Sequence, residues 1–127
     1  MRKDVNGREV KYILKMYYPR AEFRVRIQTS GFDRTLEIRT DLLQYTRKVE
    51  EAHCDLEWKL RRREGLNEKE WETYQIYEQI KDQDAEMKRS IKEILRKHDI
   101  EEYIRRCEIT GEILLGGNFY IDIRPLE

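Results

Sequence analysis

The sequence predicts an α+β fold: an antiparallel sheet, built from a three-stranded meander plus a C-terminal hairpin, with a long antiparallel helical hairpin and a short third helix inserted between them. Apolar residues alternate through residues 10–40, recur at intervals of three and four from Leu42 to Ile94, and alternate again toward Arg124. A stop and restart at Glu64-Gly65-Leu66-Asn67 splits the helical stretch in two. The 127 residues read as a single domain, 1–127, with strands in 1–40, a helical hairpin in 41–98, a short helix in 99–110 and a strand hairpin in 112–125.

Val10, Tyr12, Leu14, Met16 and Tyr18 alternate with Lys11, Ile13, Lys15 and Tyr17, a two-residue period that predicts the first strand. Pro19-Arg20-Ala21 breaks it. Phe23, Val25 and Ile27 then alternate with Glu22, Arg24 and Arg26 in a second strand. Ser30-Gly31-Phe32-Asp33 turns the chain into a third, where Leu36 and Ile38 alternate with Glu37 and Arg39.

On the first helical arm, residues 41–64, Leu42, Tyr45, Val49, Ala52, Leu56 and Leu60 share one face. Gly65 suits the left-handed position that ends a helix. Asn67 and Glu70 then form a capping-box pattern ahead of Trp71, Tyr74, Tyr77, Ile80, Met87, Ile91 and Ile94, a seam interrupted by Asp84. This second arm is longer by roughly eight residues, about 12 Å, and the overhang is expected to pack on the sheet. Asp99 and Glu102 form another capping-box pattern and predict the short third helix. Ile113-Leu114-Leu115, Gly116-Gly117-Asn118 and Phe119 to Arg124 read as the closing hairpin.

Charged residues make up 41% of the chain and apolar ones 39%, against about 25% and 45–50% for average domains, which fits long solvated helices. Net charge is zero, so the whole molecule offers no argument for nucleic acid or an acidic membrane. Its distribution is uneven: +5 over residues 1–40, −3 over 41–111 and −2 over the remainder. The start, Met1-Arg2-Lys3-Asp4, has no apolar core behind it of the kind a secretory signal needs, and no window approaches a membrane span. A cytoplasmic location without membrane contact is expected, with Cys54 and Cys107 as reduced thiols.

Enzyme chemistry finds no constellation. The hinge at Gly65 places His53 and Cys54 opposite Tyr77, and His98 lies some 21 residues, about 31 Å, further along the second arm, too far for a shared zinc site. No metal and no cofactor is expected. Glu37-Ile38-Arg39 and Asp122-Ile123-Arg124 each place an acid and an arginine on one strand face, a pattern any solvated sheet face produces. Gly116-Gly117-Asn118 lacks the helix and lysine of a phosphate loop.

The function expected is therefore non-catalytic binding of another macromolecule through the helical-hairpin surface, with self-association as a homodimer, in coiled-coil fashion. Trp71, Tyr74, Ile76 and Tyr77 sweep more than one face of the second arm and call for a cover beyond the first. Trp58, Arg61, Arg62, Arg63 and Trp71 at the hairpin tip are the candidate partner-binding residues, of types enriched at binding hot spots. The alternative is nucleic-acid binding on a basic outer sheet face that collects Lys11, Lys15, Tyr17, Arg24, Arg26 and Arg39.

Overall fold

Residues 7–17, where alternation predicts a strand, are helical. In the computed structural model, which describes residues 5–127, Asn6 caps this helix, α1 (Gly7–Tyr17), by accepting the Glu9 N–H at 2.9 Å. Val10, Ile13 and Leu14, spaced by three and one, are buried, while Tyr12 and Met16 are exposed. The local alternation yields to the helical period because only one helical face of this segment meets the sheet. A Cβ on Gly7 would stand 3.2 Å from the Val25 carbonyl oxygen, so the start of α1 presses on the first strand. The opening residues 1–4, read above for a missing signal, lie outside the described residues.

The strands β1 (Phe23–Ser30) and β2 (Asp33–Thr40) pair antiparallel, with Val25 opposite Ile38 and Ile27 opposite Leu36. The third strand, β3 (Phe119–Pro125), runs parallel to β2, with Leu36 opposite Ile121 and Ile38 opposite Ile123. The fold is thus α+β with a three-stranded mixed sheet in the order β1-β2-β3, in place of the expected antiparallel meander and closing hairpin. A parallel neighbour requires a long crossover, and the helical segment between β2 and β3 supplies one.

That segment holds α2 (Arg47–Arg61) and α3 (Glu68–Lys97). The turn between them carries Gly65 at φ 75°, and Asn67 with Glu70 makes the capping box in full. Contacts tie α2 and its lead-in to the first two-thirds of α3: Lys59 to Glu70, His53 to Glu78, and the Gln44 and Tyr45 backbone to Asp84. The last turns of α3 bring Ile91, Ile94 and Leu95 into the core, where the overhang was expected.

Residues 99–110 form no helix. Asp99 takes φ 61° and its N–H bonds the Arg96 carbonyl while the Ile100 N–H bonds that of Leu95, which is the Schellman ending of α3. Ile100, buried beside the equally buried Leu95, completes that motif. Asp99 closes one helix where the capping-box pattern has it open another, and the Glu102 carboxylate accepts the Ile121 N–H instead. The expected pairing of Ile113-Leu114-Leu115 with the last strand is likewise absent among the described residues. Ile113 bridges Arg106, and the buried Asn118 gathers the loop by donating to Asp33 and Leu114 and accepting from the Arg105 N–H.

One side of the sheet carries Phe23, Leu36, Ile38, Phe119, Ile121 and Ile123, all buried against α1 and the end of α3. Full burial of each such side chain contributes about 1.5–3 kcal/mol. The other side carries Arg24, Arg26, Glu37, Arg39, Asp122 and Arg124. No helix among the described residues is long and apolar enough to cross a membrane.

Candidate functional site

The apolar core ends abruptly. Among the described residues, no hydrophobic side chain between Leu43 and Ile91 is buried, so α2 and the first two-thirds of α3 stand outside it. Leu56, Leu60, Tyr74, Tyr77 and Ile80, placed on the facing stripes by their helical spacing, are only half-buried.

What is buried along this stretch is polar. His53 on α2 is 1% exposed, with Nδ1 at 2.6 Å from the Tyr45 hydroxyl and Nε2 at 2.7 Å from Glu78 Oε1. A carboxylate only accepts, so Nε2 carries the proton and the Tyr45 hydroxyl donates to Nδ1. The rings of Tyr45, Tyr74 and Tyr77 lie 5.7, 5.1 and 5.9 Å from the imidazole. Burial first, then the negative groups nearby, pushes the Tyr45 phenol up to about 12. Tyr45 therefore stays protonated at neutral pH as a hydrogen-bond donor, which is the opposite of an activated nucleophile.

Asp84 is the second buried polar group, and its carboxylate accepts the backbone N–H groups of Gln44 at 3.0 Å and Tyr45 at 2.7 Å. This acid, an interruption when the seam is read for apolar residues alone, is what holds the lead-in of α2. An acid on an otherwise apolar stripe signals buried donors facing it. The His53-x-x-x-Glu57 spacing is the corresponding signal for the His53 cluster, since residues four apart share a helix face.

The tip residues are open to solvent. Trp58 is 55% and Trp71 45% exposed. The Arg62 guanidinium sits 5.4 Å from the Trp58 ring centroid, and Trp71 stacks on Tyr74 at 5.6 Å with planes 6° apart. Arg61, Arg62 and Arg63 are exposed at the end of α2, where cations meet the negative helix terminus.

The six residues of the expected basic face are separated. Lys11, Lys15 and Tyr17 belong to α1, on the core side of the sheet, because residues 10–17 are helix and not strand. Lys15 donates to the Ala21 carbonyl oxygen at 2.6 Å. Arg24, Arg26 and Arg39 do share the outer sheet face, where the register adds Arg124 beside Arg39. All four of these arginines are engaged: Glu37 accepts from Arg39 at 2.7 Å and Arg26 at 3.3 Å, Asp122 accepts from Arg124 at 2.7 Å, and Arg24 stands 4.0 Å from Glu22. Beyond this face a cleft of about 870 Å³ opens toward α2, walled by Arg39, Asp122 and Arg124 opposite Glu50, Cys54 and Trp58.

Glu37 is buried, and the hydrogen bond from Arg39, joined by Arg26 against the opposing effect of burial, holds its carboxyl below the ordinary value of 4.5. The stability it contributes is present above that ordinary value and is lost as pH falls through the lowered one. Glu37→Gln is expected to cost about 1–2 kcal/mol at pH 7. Urea midpoints of the two proteins should converge as pH falls through that lowered value and the wild-type carboxyl becomes neutral.

No family model, curated protein or solved structure matches this chain.

Proposed function

We propose that the protein is a non-catalytic, cytoplasmic macromolecule-binding protein that acts through the surface of the α2–α3 helical hairpin, and that it self-associates there as a homodimer. The absence of a buried apolar side chain between Leu43 and Ile91, among the described residues, carries this reading. Two amphipathic helices that leave their stripes half-covered gain most by meeting a further apolar surface, and a second copy offers an identical one. Trp58, Trp71 and the half-exposed Ile76 supply large contact area, and Arg61 to Arg63 supply charge-assisted donors at its edge. The nucleic-acid alternative has less support, since all four arginines of the outer sheet face stand within ion-pair distance of carboxylates and the face lacks Lys11, Lys15 and Tyr17.

Sedimentation equilibrium at micromolar concentrations is expected to show a reversible dimer. Truncating both indoles, Trp58→Ala with Trp71→Ala, should weaken it by roughly 30-fold or more, the scale of one hot-spot residue of about 2 kcal/mol. A monomer at every concentration would overturn self-association, and a dimer indifferent to both substitutions would move the interface elsewhere.

A further inference from the structure

We propose that His53, Glu57 and Glu78 form a binding site for a divalent transition-metal ion, which clasps α2 to α3. Their ligating atoms lie within 4.8 Å of one another. His53 and Glu57 are one helical turn apart on α2, and Glu78 reaches across from α3. His53 Nε2 stands 2.7 Å from Glu78 Oε1 and 3.9 Å from Glu57 Oε1. Ligand atoms about 2.0–2.1 Å from a tetrahedral ion are about 3.3–3.4 Å apart, so Glu78 has to move out from the imidazole and Glu57 in by about half an ångström each, and the two carboxylates, within 4.8 Å of one another, have to close by up to about 1.4 Å. Both glutamates have the freedom to do so, with side chains 37% and 41% exposed.

The ring itself is fixed. Its burial and the 2.6 Å contact of Nδ1 with the Tyr45 hydroxyl hold Nε2 toward the two carboxylates, and the Tyr74 ring packs 5.1 Å from the imidazole. Such outer partners orient metal ligands and are as much part of a site as the ligands are. The incoming ion replaces the proton on Nε2. The Nε2 proton is released to solvent and one is taken up from solvent at Nδ1, so the imidazole changes tautomer with no net proton lost, and the Tyr45 hydroxyl keeps its proton, rotates it away and accepts from Nδ1–H without a change in heavy-atom positions. A cleft of about 400 Å³ lined by His53, Glu57 and Lys81 gives the ion a path and leaves a coordination position for water. Lys81 in that cleft opposes the ion's charge, and the two carboxylates outweigh it. One imidazole nitrogen with two carboxylate oxygens suits Zn²⁺ or Co²⁺ better than Mg²⁺ or Ca²⁺, which favour oxygen alone.

The test uses the full chain, stripped with chelator and titrated with Zn²⁺ by calorimetry, with thermal melts alongside. One Zn²⁺ per chain and a raised melting temperature are expected, with no such rise from Mg²⁺. Glu57→Gln is the decisive variant, because it leaves the Tyr45, His53 and Glu78 hydrogen bonds in place. It should melt like the metal-free wild type and bind Zn²⁺ at least tenfold more weakly, whereas His98→Ala should bind as the wild type does. Equal affinity in Glu57→Gln, a loss on His98→Ala, or no saturable binding by the wild type would each overturn the site.

Discussion

Asp84→Ala is expected to lower stability by about 2–4 kcal/mol, read as a shift of the urea midpoint at unchanged slope. The carboxylate is 6% exposed and accepts two backbone N–H groups from a segment some forty residues earlier in the chain. A hydrogen bond to a charged group contributes about 1.5–3 kcal/mol, and truncation leaves both donors without an acceptor. Asp84→Asn keeps one acceptor oxygen and turns its amide toward the other N–H, so it should recover no more than about half of the loss. The effect reaches beyond the two bonds. Asp84 fixes the backbone of Tyr45, whose hydroxyl in turn meets His53 Nδ1, so the lead-in of α2, the imidazole and Glu78 form one connected polar chain. Double-mutant cycles between Asp84→Ala and His53→Gln should therefore show coupling, as residues of one network do. A loss below about 0.5 kcal/mol would mean that water replaces the carboxylate at this site.

Strong local signals were legible in the sequence, and long-range choices were not. Asn67 and Glu70 cap α3 as their spacing indicates, and Gly65 holds the positive φ its position requires. Leu36 and Ile38 alternate into the core as a strand should. Residues 10–18 fit both periods, since Val10 and Leu14 belong to an alternating set and, with Ile13, to a helical one. The deciding signal was Asn6 with Glu9, an N-cap pattern just ahead of the segment. The same kind of signal misleads at Asp99 and Glu102, where Asp99 adopts the left-handed position usual for glycine and ends α3. A capping motif names residue types; which helix end it serves depends on what the next apolar residue can reach, and Ile100 reaches Leu95. The parallel pairing of β3 with β2 has no local signature at all. It follows from the open edge of β2 and from the length of the crossover, both properties of the assembled fold. At the candidate site, the register about Gly65 placed His53 beside Tyr77, as the ring contact shows, and Asp84 stood out as a break in the apolar seam, while Glu57 and Glu78 carried no signal apart from the other acids of the two helices.

Leu95→Ala is expected to cost about 2–5 kcal/mol, enough to unfold much of the population of a marginal domain. Leu95 has no exposed surface and touches the core from the last turn of α3, where Ile100 closes the Schellman motif over it. Removing its isobutyl group leaves a cavity among Ile91, Ile94 and the sheet and also loosens the end of the helix. Leu56→Ala, the same chemical change on a half-buried stripe, should cost the isolated chain no more than about 1.5 kcal/mol, because less transferred area is lost and solvent fills the space. The contrast becomes informative with concentration. If the stripes of α2 and α3 meet a second copy, the cost of Leu56→Ala rises as protein concentration favours the dimer, since association adds its free energy to folding. The cost of Leu95→Ala stays the same, because its surroundings are already complete within one chain. Urea denaturation of both variants at two protein concentrations measures this difference. A Leu56→Ala penalty that does not change with concentration would place that side chain outside any self-association surface.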